Sequence, residues 1–163
     1  MKLLYAHPSE VKYVKYPWKY CIGIGGNLIN EEMKLMIKSS PEIVLFGSCG
    51  YTGLNNDFKW NSLVELKEIP VVWHSVKTMA DREYYLYNGY LFVDQESFIV
   101  KEICDKYNVP FRSIRYISDR CNKRVYPWGF NHFWRKFQDR RMQLKFNEWV
   151  GMTTGYPYTP AGD

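Results

Sequence analysis

The sequence predicts an α/β fold, a three-layer αβα sandwich around a central, mostly parallel or mixed sheet. Two observations carry this. Short apolar runs with strand character alternate with helix-like segments along the chain, as when strands are linked by helical crossovers. The stretch from Tyr90 to Asp119 also reads strand, helix, strand, over residues 90–93, 98–107 and 111–117. Such a unit brings both strand ends to one edge of a parallel sheet. Glu96 and Asp119, separated by 23 positions, are then expected to face one crevice. Open α/β sheets bind ligands in crevices of this kind.

Taken in order, residues 2–6 form the first strand and residues 19–23 the second, which enters Gly23-Ile24-Gly25-Gly26. That glycine run lacks the GxGxxG and P-loop patterns, and a tight turn is the better reading than a phosphate cradle. Asn30 is suited to cap a helix running to about Ser39, with Glu31 and Glu32 in its first turn. Residues 42–47 form a short apolar strand, and Gly47-Ser48-Cys49-Gly50-Tyr51-Thr52-Gly53 follows as a small-residue turn. Residues 70–76 and 90–93 give two more strands. The last helix is marked by Phe130, Phe133, Trp134, Phe137 and Leu144 at mostly helical spacing. Residues 151–163, with two Pro and three Gly, read as loop. A chain of 163 residues with no repeat or linker is expected to form a single domain over residues 1–163.

Composition narrows the function. The chain is 46% apolar and 24% charged, as in soluble globular proteins. No apolar run approaches the roughly 20 residues that span a bilayer, so no membrane partner is expected. The start of the chain is too short an apolar run for a signal peptide. Cys21, Cys49, Cys104 and Cys121 lack CxxC spacing, which favours reduced thiols and a cytoplasmic location over a disulfide framework or a zinc site. No metal or other cofactor is expected. His7, His74 and His132 show no paired spacing and read as structural. Residues 101–163 carry 12 Lys+Arg against 6 Asp+Glu, while residues 1–100 are nearly balanced. A solvated basic helix face explains this more simply than a nucleic-acid partner, which would reveal itself by steep salt dependence.

The motifs resemble those of the purine nucleoside phosphorylase/nucleosidase superfamily, in particular the methylthioadenosine/S-adenosylhomocysteine nucleosidases. Val93-Asp94-Gln95-Glu96 is similar to that family's hydrophobic-acidic-Met-Glu motif, which holds the ribose. Ile114-Arg115-Tyr116-Ile117-Ser118-Asp119 is similar to its Ile-Arg-x-Ile-Ser-Asp motif, which ends in the catalytic acid. Ala6-His7-Pro8-Ser9-Glu10-Val11 resembles the loop presenting the water-activating Glu. Residues 42–50 resemble the strand and small-residue turn lining the ribose and water site. Three features depart from the pattern. The chain is shorter than a typical member, which implies trimming between Gly53 and Tyr90. Gln95 replaces the Met that packs beneath the sugar. Arg120, Lys123 and Arg124 replace small apolar residues. Those cations would favour an anionic 5′ substituent if they rim the cleft, and have no such effect if they face solvent.

The resemblance implies a nucleoside phosphorylase-like fold and an N-glycosidic hydrolase acting on a purine nucleoside or nucleotide. Asp119 would be the general acid, Glu10 the group that activates water, and Glu96 the acceptor for ribose hydroxyls. Ser48, Gln95, Ser118 and Phe130 are candidate substrate contacts. The phosphorylases of this superfamily place Arg in the first strand-to-helix loop and near the small-residue turn, and neither place holds one here, so hydrolysis is expected. A homo-oligomer is also implied. Each acid has a plainer alternative: Glu96 and Glu10 could cap helices and Asp119 could end a strand in a turn. The competing function is a nucleotide-binding or interaction protein of reduced catalytic power on the same fold.

Overall fold

The computed structural model describes residues 1–53, 62–69, 88–120 and 128–158, apart from the side chains of 119, 120 and 128–135. Six described strands form one sheet: β1 (Lys2–Tyr5), β2 (Lys19–Cys21), β3 (Ile43–Tyr51), β4 (Leu63–Glu65), β5 (Phe92–Val93) and β6 (Phe111–Arg120). Their order is β2-β1-β3-β6-β4, with β5 on β3. The β2, β1, β3 and β6 strands are parallel to their neighbours, while β4 and β5 pair antiparallel. The described helices are α1 (Glu31–Lys38), α2 (Ser97–Lys106) and α3 (Trp128–Thr154).

Alternation along the strands sorts the core into two layers. Leu3, Val44, Phe46, Ile114 and Tyr116 face α3, where they meet Met142, Phe146 and Val150. Leu4, Ile43 and Leu45 face the other way, onto Ile37 of α1 and Val100 and Cys104 of α2. This is the predicted αβα sandwich. Each wholly buried Leu, Ile or Phe contributes roughly 1.5–3 kcal/mol. Burial pushes the Cys104 thiol up to about 12, so it serves as a small apolar side chain. Asn30 caps α1 as predicted, its side chain accepting from the Met33 N–H at 2.9 Å.

Several elements differ from the sequence reading, each for a physical reason. The strand predicted over residues 42–47 runs on to Tyr51. The small residues after Gly47 do not turn, because β6 provides partners along their length. The Tyr90–Asp119 stretch is not a simple parallel unit: β5 pairs antiparallel with the end of β3, Gly50 opposite Val93. This turns the chain back toward the middle of β3 and delivers Glu96 there. The fourth strand, β4, is only three residues long and has no clear apolar signature. It is held on β6 by pairing and by a two-point Arg112–Glu65 ion pair, with both bonds at 2.9 Å.

The last helix continues through Thr154, where a loop was expected. The apolar part of its buried face among the described side chains is Met142, Phe146 and Val150, while Phe137, expected in the apolar stripe, is 53% exposed. Those three residues lie at i, i+4, i+8, but polar Gln143 and Asn147 beside them obscure the pattern. The strand predicted over residues 70–76, the trimming between Gly53 and Tyr90, and Lys123 and Arg124 fall mainly or wholly outside the described residues. So do Cys121 and His74.

Candidate active site

The site forms at the carboxyl end of the parallel strands, where β1 stops short of β3. Beyond Tyr5 the chain makes one 3₁₀ turn, Pro8–Glu10, opened by His7. The side chain of Glu10 folds back so that Oε2 accepts from the Ala6 and His7 N–H groups, both at 3.1 Å. Oε1 accepts from the Ser48 N–H at 3.1 Å and, more weakly, from the Ser48 hydroxyl at 3.4 Å. The carboxylate therefore fills the gap on the edge of β3 between the part paired with β1 and the part paired with β5. It satisfies backbone donors that would otherwise be orphaned.

Gly47 makes the close approach possible. A Cβ there would lie 2.6 Å from Glu10 Oε1 and 2.7 Å from Arg115 Nη1. Arg115, on the central strand β6, is the hub of the site and wholly buried. Its Nη2 lies 2.5 Å from Asp94 Oδ2 and 3.7 Å from Glu96 Oε2. Its Nε donates to Ser113 Oγ at 3.1 Å, and Nη1 reaches the Ser48 carbonyl at 3.5 Å. Burial works against the Arg115 charge, but Asp94, Glu96 and Glu10 outweigh it and raise its pKa above the ordinary value.

Glu96 and Asp94 divide the work at the start of α2. Asp94 does the capping: Oδ1 accepts from the Ser97 N–H at 3.2 Å, and Oδ2 takes a short bond from the Ser97 hydroxyl. Glu96, the predicted ribose acid, makes no side-chain cap bond. Its Oε1 accepts instead from the Gly25 N–H at 3.0 Å. Gly25 has φ 65°, a left-handed conformation that glycine adopts without penalty. The glycine run is thus a tight turn, as expected, with one N–H aimed at a site acid. Burial pushes the Glu96 carboxyl upward. Arg115 and the Gly25 N–H only partly reverse this, and Asp94 and Glu10 add to the rise.

That balance has a measurable consequence. A carboxyl whose pKa is raised by folding contributes stability while protonated. The contribution is complete below the ordinary carboxylate value of about 4.3 and is lost as pH rises through the folded value. We expect the melting temperature of Glu96→Gln, relative to wild type, to rise between about pH 4 and pH 7.5. A relative fall over that interval would mean that attraction to Arg115 outweighs burial.

The structure places the remaining predicted residues as follows. Ser48 lies against Glu10 as described. A bulge where β3 meets β6 pairs Cys49 with Ile117 and Gly50 with Asp119. Ser118 is the extra residue, and its hydroxyl donates to the Cys49 carbonyl at 3.3 Å. Asp119 thus sits near the end of β6, opposite Gly50 in the strand end beyond Ser48. Its side chain, and that of Phe130 on α3, lie outside the described residues. Gln95 is half-buried between Asp94 and Glu96. Arg115 and Asp94 were absent from the predicted site residues, although both lie inside the quoted motifs. A cation between Ile114 and Tyr116, in a strand of the sheet core, was the available signal, because it must be paired to be buried.

Among the described residues no group of three or more His, Cys, Asp or Glu could hold a metal ion. No described helix is long and apolar enough to cross a membrane. A groove of about 470 Å³ between α1 and α2, lined by residues including Ile29, Ile99, Glu102 and Tyr107, holds none of the site acids.

Comparison with solved structures defines the class of fold. A 5′-methylthioadenosine/S-adenosylhomocysteine nucleosidase of Helicobacter pylori, solved with butyl-thio-DADMe-Immucillin-A, superposes with a TM-score of 0.66 at 13% identity. The match covers 93% of this chain and 97% of that one. A Borrelia burgdorferi B31 protein described as a putative nucleosidase of the same type, bound to adenine, gives a TM-score of 0.69 at 14% identity, covering 92% and 98%. Native futalosine hydrolase of Helicobacter pylori strain 26695 gives 0.64 at 12% identity, covering 93% and 97%. No protein-family model and no curated protein matches the sequence. At these identities the likeness is one of fold: the chain has the nucleoside phosphorylase/nucleosidase fold predicted from its motifs.

Proposed function

We propose that this protein hydrolyses the N-glycosidic bond of a purine nucleoside or nucleotide, releasing free base and a ribose product. The observation that carries the reading is the gathering of Glu10, Ser48 and Glu96 around buried Arg115, where β6 leads on to Asp119. Cleavage passes through an oxocarbenium-like sugar, and the base departs more readily when protonated. Asp119 donates that proton at the purine N7 edge, a contribution of roughly 10²–10⁴ in rate. Glu96 accepts hydrogen bonds from the ribose hydroxyls and stabilises the cationic sugar. Glu10 accepts the proton of the attacking water. Oε1 is the oxygen assigned to that water, its contact with the Ser48 hydroxyl being long at 3.4 Å.

Water is favoured over phosphate as nucleophile. Arg115, the cation beside Ser48, is already engaged by Asp94 and Glu96. Glu10 would also repel a phosphate anion. The test is a panel of nucleosides and their 5′-monophosphates, assayed for free base by chromatography with and without phosphate. Free base together with free sugar, in the absence of phosphate, is expected. A phosphate requirement with ribose 1-phosphate as product would make the protein a phosphorylase.

One observation favours a second reading, a nucleotide-binding protein of reduced catalytic power. Glu10 already accepts from four protein donors, so its carboxylate also has a purely structural use. The two readings part at Glu10→Gln. A catalytic carboxylate predicts a large fall in cleavage with ligand affinity kept. Under the second reading the panel gives binding without free base in wild type and variant alike.

A further inference from the structure

We propose that Gln143 and Asn147 of α3 are positioning residues that fix the Glu10 carboxylate in the site; this rests on the reading of Glu10 as the water-activating group. The segment between β1 and β2, residues 6–18, contains a single 3₁₀ turn and carries Glu10. It lies along α3, with Val11 and Val14 in the same core as Met142, Phe146 and Val150. Gln143 and Asn147 are 0% and 2% exposed, and both carboxamides are committed to this segment's backbone. Gln143 Oε1 accepts from the Tyr13 N–H and its Nε2 donates to the Ser9 carbonyl, both at 2.7 Å. Asn147 Oδ1 accepts from the Lys15 N–H and its Nδ2 donates to the Tyr13 carbonyl, both at 2.8 Å.

Apolar side chains at 143 and 147 would pack against Val11 and Val14 without the desolvation that buried amides incur. Two carboxamides instead specify the register of the segment on the helix, because a shift by one residue breaks all four bonds. The Ser9 carbonyl belongs to the peptide unit whose N–H is that of Glu10. The Gln143 bond therefore holds the backbone one residue from the acid.

The same helix also grips β6. Gln138 Nε2 donates to the Ile117 carbonyl at 2.5 Å, and the Tyr116 hydroxyl donates to Asp139 Oδ1 at 2.7 Å. Ile117 lies two residues before Asp119. One rigid element thus sets where the Glu10 segment sits relative to the end of the strand that bears the proposed acid. A misplacement of about 1 Å at a reacting group can lower a rate about a hundredfold.

The test combines kinetics with amide exchange. Gln143→Met removes both bonds. Asn147→Leu removes the other two, to Lys15 and Tyr13, and it serves if the first variant folds poorly. We expect kcat to fall tenfold to a hundredfold with KM within threefold. The fall should vanish in a Glu10→Gln background, because both changes act through one carboxylate. NMR exchange of the His7 and Ser48 amides, both held by Glu10, should quicken at least tenfold.

A kcat loss that multiplies in the Glu10→Gln background would overturn the proposal. So would a kcat within twofold of wild type, or faster exchange confined to Tyr13 and Lys15. If wild type cleaves no nucleoside, the hydrolase reading fails, and the His7 and Ser48 amides alone decide whether Gln143 holds Glu10.

Discussion

Asp119→Asn is expected to lose at least a hundredfold in N-glycosidic cleavage while the fold survives. The amide matches the carboxyl in shape but has no carboxylic proton to give, and general acid catalysis accounts for roughly 10²–10⁴ in rate. The change lies at the end of β6, opposite Gly50 and past the bulge at Ser118, so the pairing that holds the strand does not depend on it. Free-base release by the variant, compared with wild type well below both melting temperatures, provides the measurement. Activity within threefold of wild type would remove Asp119 from the acid's role. The nucleoside substituent matters as well. A poor leaving group such as adenine should suffer the full loss, whereas a substrate whose base departs unprotonated should suffer little. Equal losses on both would argue for misfolding rather than a missing proton.

How far the sequence could be read depended on whether local pattern or tertiary pairing decides an element. The parallel core was legible because β1 and the first half of β3 are apolar runs, and because β6 carries Phe111, Ile114, Tyr116 and Ile117 along its length. The Asn30 cap was legible because its chemistry is local, one side chain and the N–H three residues on. The extension of β3 through Gly47, Ser48 and Gly50 was not, because small residues carry little strand propensity and are held there by tertiary partners, β6, β5 and the Glu10 carboxylate. β5 shows the same limit. Its two paired residues cannot announce their direction, and the antiparallel turn that carries Glu96 back to Arg115 depends on the end of β3.

Glu96 was reached from its place in the strand–helix–strand stretch as well as by resemblance and Glu10 by resemblance, and the structure brings both to Arg115. The reason they can lie together could not be seen in the motifs. It is a buried guanidinium, a glycine at 47 with room for it, and a left-handed glycine at 25. The sequence reading set capping against function for Glu10 and Glu96. The structure divides those uses: Asp94 caps α2, Glu96 does not, and Glu10 closes the box on His7 while also reaching Ser48.

Arg115→Met should have the largest effect on stability. The substitution keeps much of the side-chain volume and so leaves little cavity. It removes the cation that Asp94, Glu96 and Glu10 all contribute to holding. Deleting one partner of a buried ion pair typically costs about 3–5 kcal/mol, because the remaining charge stays buried without compensation. At roughly 2–4 °C per kcal/mol for a chain near this size, the melting temperature should fall by about 6–20 °C at neutral pH.

The loss should also depend on pH in a direction that can be stated beforehand. Burial already pushes the Glu96 carboxyl upward with Arg115 present, and removing the guanidinium removes the main influence opposing that rise. The folded variant then holds a proton at Glu96 over a wider range than the unfolded chain does. Stability from that proton is present at low pH and lost as pH rises through the raised value. The deficit of Arg115→Met should therefore be smaller near pH 4.5 than near pH 7.5. Adding Glu96→Gln, which removes the titrating group, should flatten that dependence. Melting curves for the four proteins at both pH values decide the matter. A fall of less than about 3 °C at neutral pH, roughly one kcal/mol on the same scale, would show that the acids do not need their guanidinium. Arg115 would then cease to be the hub on which the arrangement of Glu10 and Glu96 depends.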